Sequence, residues 1–514
     1  MTTDRRVRST SDSGSSRRRS IPSRAPQPHP GELESPELVI GLVAGVGAPL
    51  ELVQHTVSAQ LRRLGYTAEV LHLSRMTDRF ELPTGRPGRG MNEFRRINAM
   101  MNRGNEARKA TGRNYILALA AIREIAFRRG SQPAALPGKA FLLRQLKQPD
   151  EVSLLRRTYG TGFHLLGVYC QRQIRERNLA RGGLNEREIS ELIGRDEHEP
   201  SGPGQHLRDT FHLADVFVDA GEPGAHLTAQ VRRFLELLFG IGIKGPLQDE
   251  FGMFHAQASA LRSAQLGRQV GAALLSPRGE LISLGTNEVP CHGGGLYWEG
   301  DPGDMRDHVL GRDSSDEMRE EIVSEITERL TPNWDRMSKS ERRRLVEENL
   351  PKLRSTTVSA LTEFGRAVHA EAEAILSAAR MGVSTRGARL YCTTFPCHVC
   401  AKHIVAAGIE QVVYIEPYPK SRALRLFDDS ISLEAHRKGR VLFRPFVGVS
   451  PSRFTDLFSM RSVEGQALPR KNDRGFPILN GRKMRLRMPH FSAIDRETSA
   501  AGELKRILPK GGAR

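Results

Sequence analysis

Arg389–Ile415, RLYCTTFPCHVCAKHIVAAGIEQVVYI, changes character along its length. Arg389–Cys392 is a short apolar run, Cys397–Ala407 carries apolar residues at helical spacing and is followed by Gly408, and Gln411–Ile415 is a second apolar run. The pattern predicts strand, helix, strand. Working back from it, Ala360–Met381 reads as a helix, Val270–Leu275 and Leu281–Gly285 as two strands across the turn Pro277-Arg278-Gly279, and Phe251–Leu266 as a helix. Asp301–Leu353 interrupts this order with a charged, helix-prone insertion.

The same stretch carries the chemistry. Pro396 suits a helix entry because its missing N–H is not needed there. Cys397 and Cys400 then fall in the first turn, with both sulfurs on one side and the positive end of the helix dipole favouring thiolates. His369, in His369-Ala370-Glu371, is a third donor. Zinc takes about four tetrahedral ligands, so one imidazole and two sulfurs leave a position open, as in a catalytic site. Glu371 is near enough to His369 to move protons without being a ligand. The competing reading is a structural zinc knuckle, which would fill all four positions; the chain has no second CxxC pair, and Cys291-His292 is the one candidate supplement. Cys170 and Cys392 lie in apolar runs and read as buried residues, while His398 suits a substrate donor or a turn position equally.

His369-x-Glu371 with Pro396-Cys397-x-x-Cys400 is the zinc deaminase signature. With FHAQASALRSAQ, RQVGAALLSPRGELISLGTNEVP and HAEAEAIL in that order, about residues 249–415 resemble the deoxycytidylate deaminase branch of the cytidine deaminase superfamily. The resemblance implies an α/β/α sandwich around a mixed sheet of about five strands, with zinc between two helix N-termini and a deoxycytidine nucleotide as substrate. It implies Glu371 as the catalytic proton carrier, Asn287 at the sugar, Gln269, Val270, Gly271 and Ala272 lining the pocket, and Arg262 or Lys420 near the phosphate. The long N-terminal part, the segment GGGLYWEGDPGD and the ending FRPFVGVSPSRFTDLF depart from the short enzymes. They are similar to two-domain bacterial antiphage dCTP/dCMP deaminases over about residues 38–458, which implies depletion of the deoxycytidine nucleotide pool.

The N-terminal half alternates strand and helix: Leu38–Ala44, Glu51–Leu64, Ala68–Leu73, Asn114–Arg129, Ala140–Leu146, Glu151–Tyr159, Phe163–Tyr169, then Ala214–Val218 and a helix around Leu227–Phe239. Alternation of this kind predicts a parallel sheet with crossover helices. GLVAGVGAPLE sits where a P-loop would, yet Ala48 and Pro49 stand in place of the Lys and Ser/Thr of that motif. A degenerate P-loop kinase-like fold is expected, with Gly45 and Gly47 as weak nucleotide-binding candidates. Arg208 and Asp209 read as lid contacts or as surface ion pairs. The expected divisions are a disordered basic tail 1–35, the kinase-like domain 36–245, the deaminase domain 246–460 with its insertion 301–353, and a basic extension 461–514.

At 514 residues the chain is too long for one growing core, and 38% hydrophobic with 26% charged residues excludes a wholly disordered or collagen-like chain. Five cysteines are too few for a disulfide framework, which favours a reducing cytoplasm. No apolar run reaches the ~20 residues that span a bilayer. A net charge of +18 attracts polyanions. It motivates two further expectations, a polynucleotide cytosine deaminase as the rival activity and an inhibitory RNA held by the basic termini. With only 6% aromatic residues, stacking platforms for a strand are scarce. A homo-oligomer is expected from the family resemblance.

Overall fold

The computed structural model describes residues 37–88, 90–130, 137–199, 202–221, 224–354, 365–416, 421–434, 437–461, 470–472, 474–477 and 490–507. The tail 1–35 and Lys420 lie outside the described residues. Two six-stranded sheets organise the chain. In the first, β1 (Leu38–Ala44), β2 (Thr67–His72), β3 (Lys139–Arg144), β4 (Phe163–Tyr169) and β5 (Val216–Asp219) run parallel in the order β2-β3-β1-β4-β5. Every residue of β1 is buried, as an unbroken apolar strand requires when helices cover both faces of a parallel sheet.

The second sheet holds β6 (Gly271–Leu275), β7 (Leu281–Thr286), β8 (Arg389–Thr394), β9 (Gln411–Glu416), β10 (Ile431–Ser432) and β11 (Val441–Pro445) in the order β10-β11-β9-β8-β6-β7. β6 is antiparallel to both neighbours, while β8, β9, β11 and β10 are parallel. Two glycines let helices sit directly on this sheet. A Cβ on Gly271 would lie 1.9 Å from Ala256 O in the helix Gln248–Ala260, and one on Gly285 would lie 1.9 Å from Ala370 O in the helix Ala370–Arg380. Gly271 pairs with Thr286 and Gly285 with Ala272, so the two glycines open opposite faces.

The chain does not keep its halves apart. β12 (Gly448–Val449) leaves the expected 246–460 unit and pairs antiparallel with β5 of the first sheet. Glu250, fully buried, fixes the crossing by accepting from Val449 N at 3.0 Å and from Arg233 at 2.6 Å. Beyond Gly448, where Pro and Gly give little reason to expect order, the helices Pro451–Phe458 and His490–Ile507 form. The second lays Ala500 and Leu504 into a core shared with Ile125 and Tyr159, and Glu497 meets Arg129 and Tyr159. The charged stretch 171–204 also differs from its appearance. It holds the helices Arg172–Arg181 and Glu186–Glu197, each presenting a narrow stripe (Leu179; Ile189, Leu192, Ile193) to Met101 and Val46. Among the described residues no helix is long and apolar enough to cross a membrane.

His164 on β4 is 4% exposed and packs edge-on to Phe234. Burial first, then Arg453 and Arg156, holds its pKa well below the usual 6.5. The unfolded chain therefore takes up a proton below about pH 6.5 that the native ring refuses, so this group lowers stability progressively as pH falls below about 6.5. His164→Phe is expected to flatten the fall between pH 6.5 and 5 in urea melts; a slope identical to that of the unaltered chain would contradict this.

Candidate active site

Each metal-donor segment stands at a helix start. Of the expected helix Ala360–Met381, residues 360–364 lie outside the described residues; the helix begins at Ala370, because Val368 pairs with Glu288 as an isolated antiparallel bridge and His369 stays extended (φ −72°, ψ 150°) as the N-cap. Cys397 caps the helix His398–Ala406, its sulfur accepting from Cys400 N at 3.4 Å. The two caps face each other: His369 Nδ1 is 3.3 Å from Cys397 Sγ and 3.4 Å from Cys400 Sγ.

These distances fit zinc. Bonds of about 2.0–2.1 Å to nitrogen and 2.3 Å to sulfur at tetrahedral angles put N and S about 3.5 Å apart. The sulfurs are prepared electrically as well. The Cys400 thiol beside it and His369 hold Cys397 below the ordinary thiol range, against the opposing effect of burial. Glu371, in the first turn after His369, is 4% exposed. Burial, followed by the charge of Cys397, raises its carboxyl above the ordinary range.

His369, Glu371 and Cys397 open into a cleft of about 300 Å³, with Val270, Asn287, Thr394 and Phe395 on its walls. Of the expected lining, Val270 and Asn287 are there; Gln269, Gly271 and Ala272 are not among the lining residues. Gln269 turns its amide to Ser263 O at 2.7 Å, Gly271 lies against the helix Gln248–Ala260, and Ala272 is core. Asn287 is already engaged: it accepts from Val270 N and donates to Arg268 O, both at 2.7 Å. Asn287→Ala leaves the Val270 amide without this partner. It is expected to cost about 1–3 kcal/mol in a denaturant melt; an unchanged midpoint would show the two bonds to be dispensable.

Other expectations land away from the cleft. Arg262 stacks on Trp298 at 3.5 Å and donates to Leu296 O and Tyr297 O. Cys291 donates to Gly294 O and belongs to no metal-donor group among the described residues. At the first sheet's glycine turn, side chains from elsewhere in the chain approach the backbone. Asp196, fully buried, accepts from Val46 N at 2.8 Å and pairs with Lys147; a Cβ on Gly45 would meet the Arg175 guanidinium at 2.5 Å, and Asn178 holds Gly47 O. A Cβ on Gly47 would meet Arg175 O at 2.6 Å, and both glycines are half-buried.

Sequence reading missed several rim residues. Gln265 and Arg268 precede β6, and Asp313, Ser315 and Arg319 come from the start of the inserted helix Ser314–Leu330. Glu288, 1% exposed, braces the wall by accepting from Ala264 N at 2.8 Å and Gln265 Nε2 at 2.9 Å. Its position next to Asn287 was the available signal; Arg319 has none, since it is one of many charged residues in its helix.

With two opposed helix caps converging on zinc-like distances, the comparison with known families is decisive for this part of the chain. Residues 246–416 match the cytidine and deoxycytidylate deaminase zinc-binding region. The region matched is a zinc-binding one, and the cofactor is zinc. The chain is 51% identical over 55 residues to the deoxycytidylate deaminase of Enterobacteria phage T2, covering 11% of this chain and 29% of that protein. It is 29% identical over 212 residues to the deoxycytidylate deaminase of Mus musculus, covering 41% and 81%. The chain spans about three tenths of the length of the first curated relatives it matches. Among solved structures, the dCMP deaminase of cyanophage S-TIM5 is similar at 18% identity, 40% coverage of this chain and 100% of that one, with a TM-score of 0.22.

Proposed function

We propose that this chain hydrolyses the C4 amino group of free deoxycytidine nucleotides, converting dCMP and dCTP to dUMP and dUTP with release of ammonia. The observation that carries the reading is the buried Glu371 carboxyl beside the His369, Cys397 and Cys400 donors, where all but the deeply set Cys400 line one cleft. Zinc held by those three residues supplies Lewis acidity that brings the pKa of water toward about 7. Glu371 takes a proton from the attacking water and delivers it to ring N3. It then carries a second proton to the amino nitrogen as the C4–N bond breaks; the water oxygen remains as the C4 carbonyl. Phe395 and Val270 give the base apolar walls, and Asn287 offers a polar group on the same cleft.

A cleft of about 300 Å³ suits one nucleotide, at the small end of ligand pockets, and offers little of the groove a polynucleotide deaminase needs. The extension to dCTP and to nucleotide depletion against phage rests on the resemblance of residues 38–458 to two-domain antiphage deaminases. For the first sheet the order β2-β3-β1-β4-β5 and the glycine turn after β1 support a degenerate P-loop kinase-like fold. The zinc-loaded full chain, incubated separately with dCMP, dCTP, cytidine and a cytosine-containing oligonucleotide, is expected to release ammonia and the uracil product from the free nucleotides and not from the oligonucleotide. No product from any cytosine nucleotide would overturn the reading.

A further inference from the structure

His198, His206 and Asp209 bring three metal-donor atoms within 4.8 Å of one another, in a part of the chain that the deaminase region does not reach. His206 Nδ1 is 3.3 Å and His198 Nδ1 3.9 Å from the same oxygen, Asp209 Oδ2, and the two imidazoles meet edge to face with centroids 5.1 Å apart. We propose that these residues bind a second divalent transition-metal ion of the zinc class.

The donor set fits such an ion. Two neutral imidazoles and a carboxylate are borderline ligands that suit zinc, cobalt or nickel, and their summed charge of −1 is complementary to a dication. Tetrahedral bonds of about 2.0–2.2 Å to nitrogen and oxygen put donors about 3.3–3.6 Å apart, which brackets the closer pair and lies a few tenths of an ångström inside the other.

The donors are held in place by the fold. His198 ends the helix Glu186–Glu197 and His206 begins the short helix Leu207–Phe211, which also carries Asp209. The residues next to the two histidines are tied to each other: Glu199 N donates to Gln205 O at 2.8 Å, and Gln205 N returns to Glu199 Oε2 at 3.1 Å. Asn105 donates to Glu199 at 2.8 Å and accepts from Gln205 at 3.0 Å. Gln148 holds Gly202 O and Gly204 O, and His206 N donates to Lys147 O at 3.0 Å. A clamp of this density fixes the residues flanking both imidazoles before any ion arrives, which lowers the ordering cost of binding. A hydrogen bond between His206 and Asp209, three residues apart, needs no such clamp on His198.

The ion would brace the helix Leu207–Phe211. That helix is followed by His212, whose Nδ1 lies 3.5 Å from Glu416 at the end of β9, and Glu416 lies 3.7 Å from Arg268 on the rim of the cleft.

The test uses the full chain without a polyhistidine tag, loaded with Zn2+, dialysed and analysed for metal. The unaltered chain is expected to hold two zinc ions, the double variant His198→Ala, Asp209→Asn one, and Cys397→Ser one. His198 and Asp209 are about half exposed, so the double variant keeps its fold, checked by circular dichroism. Titration of metal-free Cys397→Ser with Co2+ separates the sites by chemistry: the nitrogen–oxygen site gives visible d–d bands without the thiolate charge-transfer band. One zinc in the unaltered chain and none in Cys397→Ser, or cobalt binding to that variant only at millimolar concentration, would overturn the proposal.

Discussion

Replacing Glu371 with glutamine is expected to lower turnover about 10²–10⁴-fold while zinc content holds steady and the melting temperature does not fall. The split follows from what the carboxyl touches. Glu371 is outside the His369, Cys397, Cys400 donor group, so the metal does not need it. It is 4% exposed, and a buried carboxylate costs stability that a neutral amide of the same shape does not. Gln keeps the volume and loses only the ability to accept and return a proton. Turnover within threefold of the unaltered chain would remove Glu371 from the reaction. A loss of zinc would show instead that it helps to hold the metal.

How much of this was legible before the structure depends on the range of the contact concerned. The central strands are read almost to the residue, though β10 and β11 were not read at all: Leu38–Ala44 and Phe163–Tyr169 appear as written, because buried parallel strands are unbroken apolar runs between turn residues. Donor identity was equally legible, since sulfur and imidazole at a helix start have few other uses. The start of the helix at Ala370 was not. Ala360–Met381 keeps a helical apolar pattern throughout, and only the pairing of Val368 with Glu288, eighty residues away, shows that His369 is extended. Arg319 fails for a related reason: it reaches the cleft from a helix whose exposed face is densely charged, so one more charged residue gives no signal. The return of Gly448–Val449 to the first sheet is two residues long and has no periodicity to read. Local pattern gives elements and donors; the walls of the cleft come from contacts made across the chain.

Gly285→Ala is expected to reduce zinc occupancy and turnover together, the latter about 100-fold, with a loss of about 1–3 kcal/mol in stability. The added methyl would stand 1.9 Å from Ala370 O and 2.5 Å from Ala374 N, both backbone atoms of the helix that carries Glu371 and begins at His369. Backbone cannot rotate away as a side chain can, so the helix must lift from β7, and Ser283, which donates to Ala374 O at 2.7 Å, is pulled with it. His369 then leaves sulfurs that are fixed by a different helix on β8 and β9. Gly271→Ala provides the control. Its methyl would meet Ala256 O at the same 1.9 Å, but in the helix Gln248–Ala260, which carries no metal donor. The two variants are expected to lose similar stability, while only Gly285→Ala loses zinc. Equal zinc content in both would mean that the helix at Ala370 moves without taking His369 along, and that the donor geometry is set by the His369 cap alone.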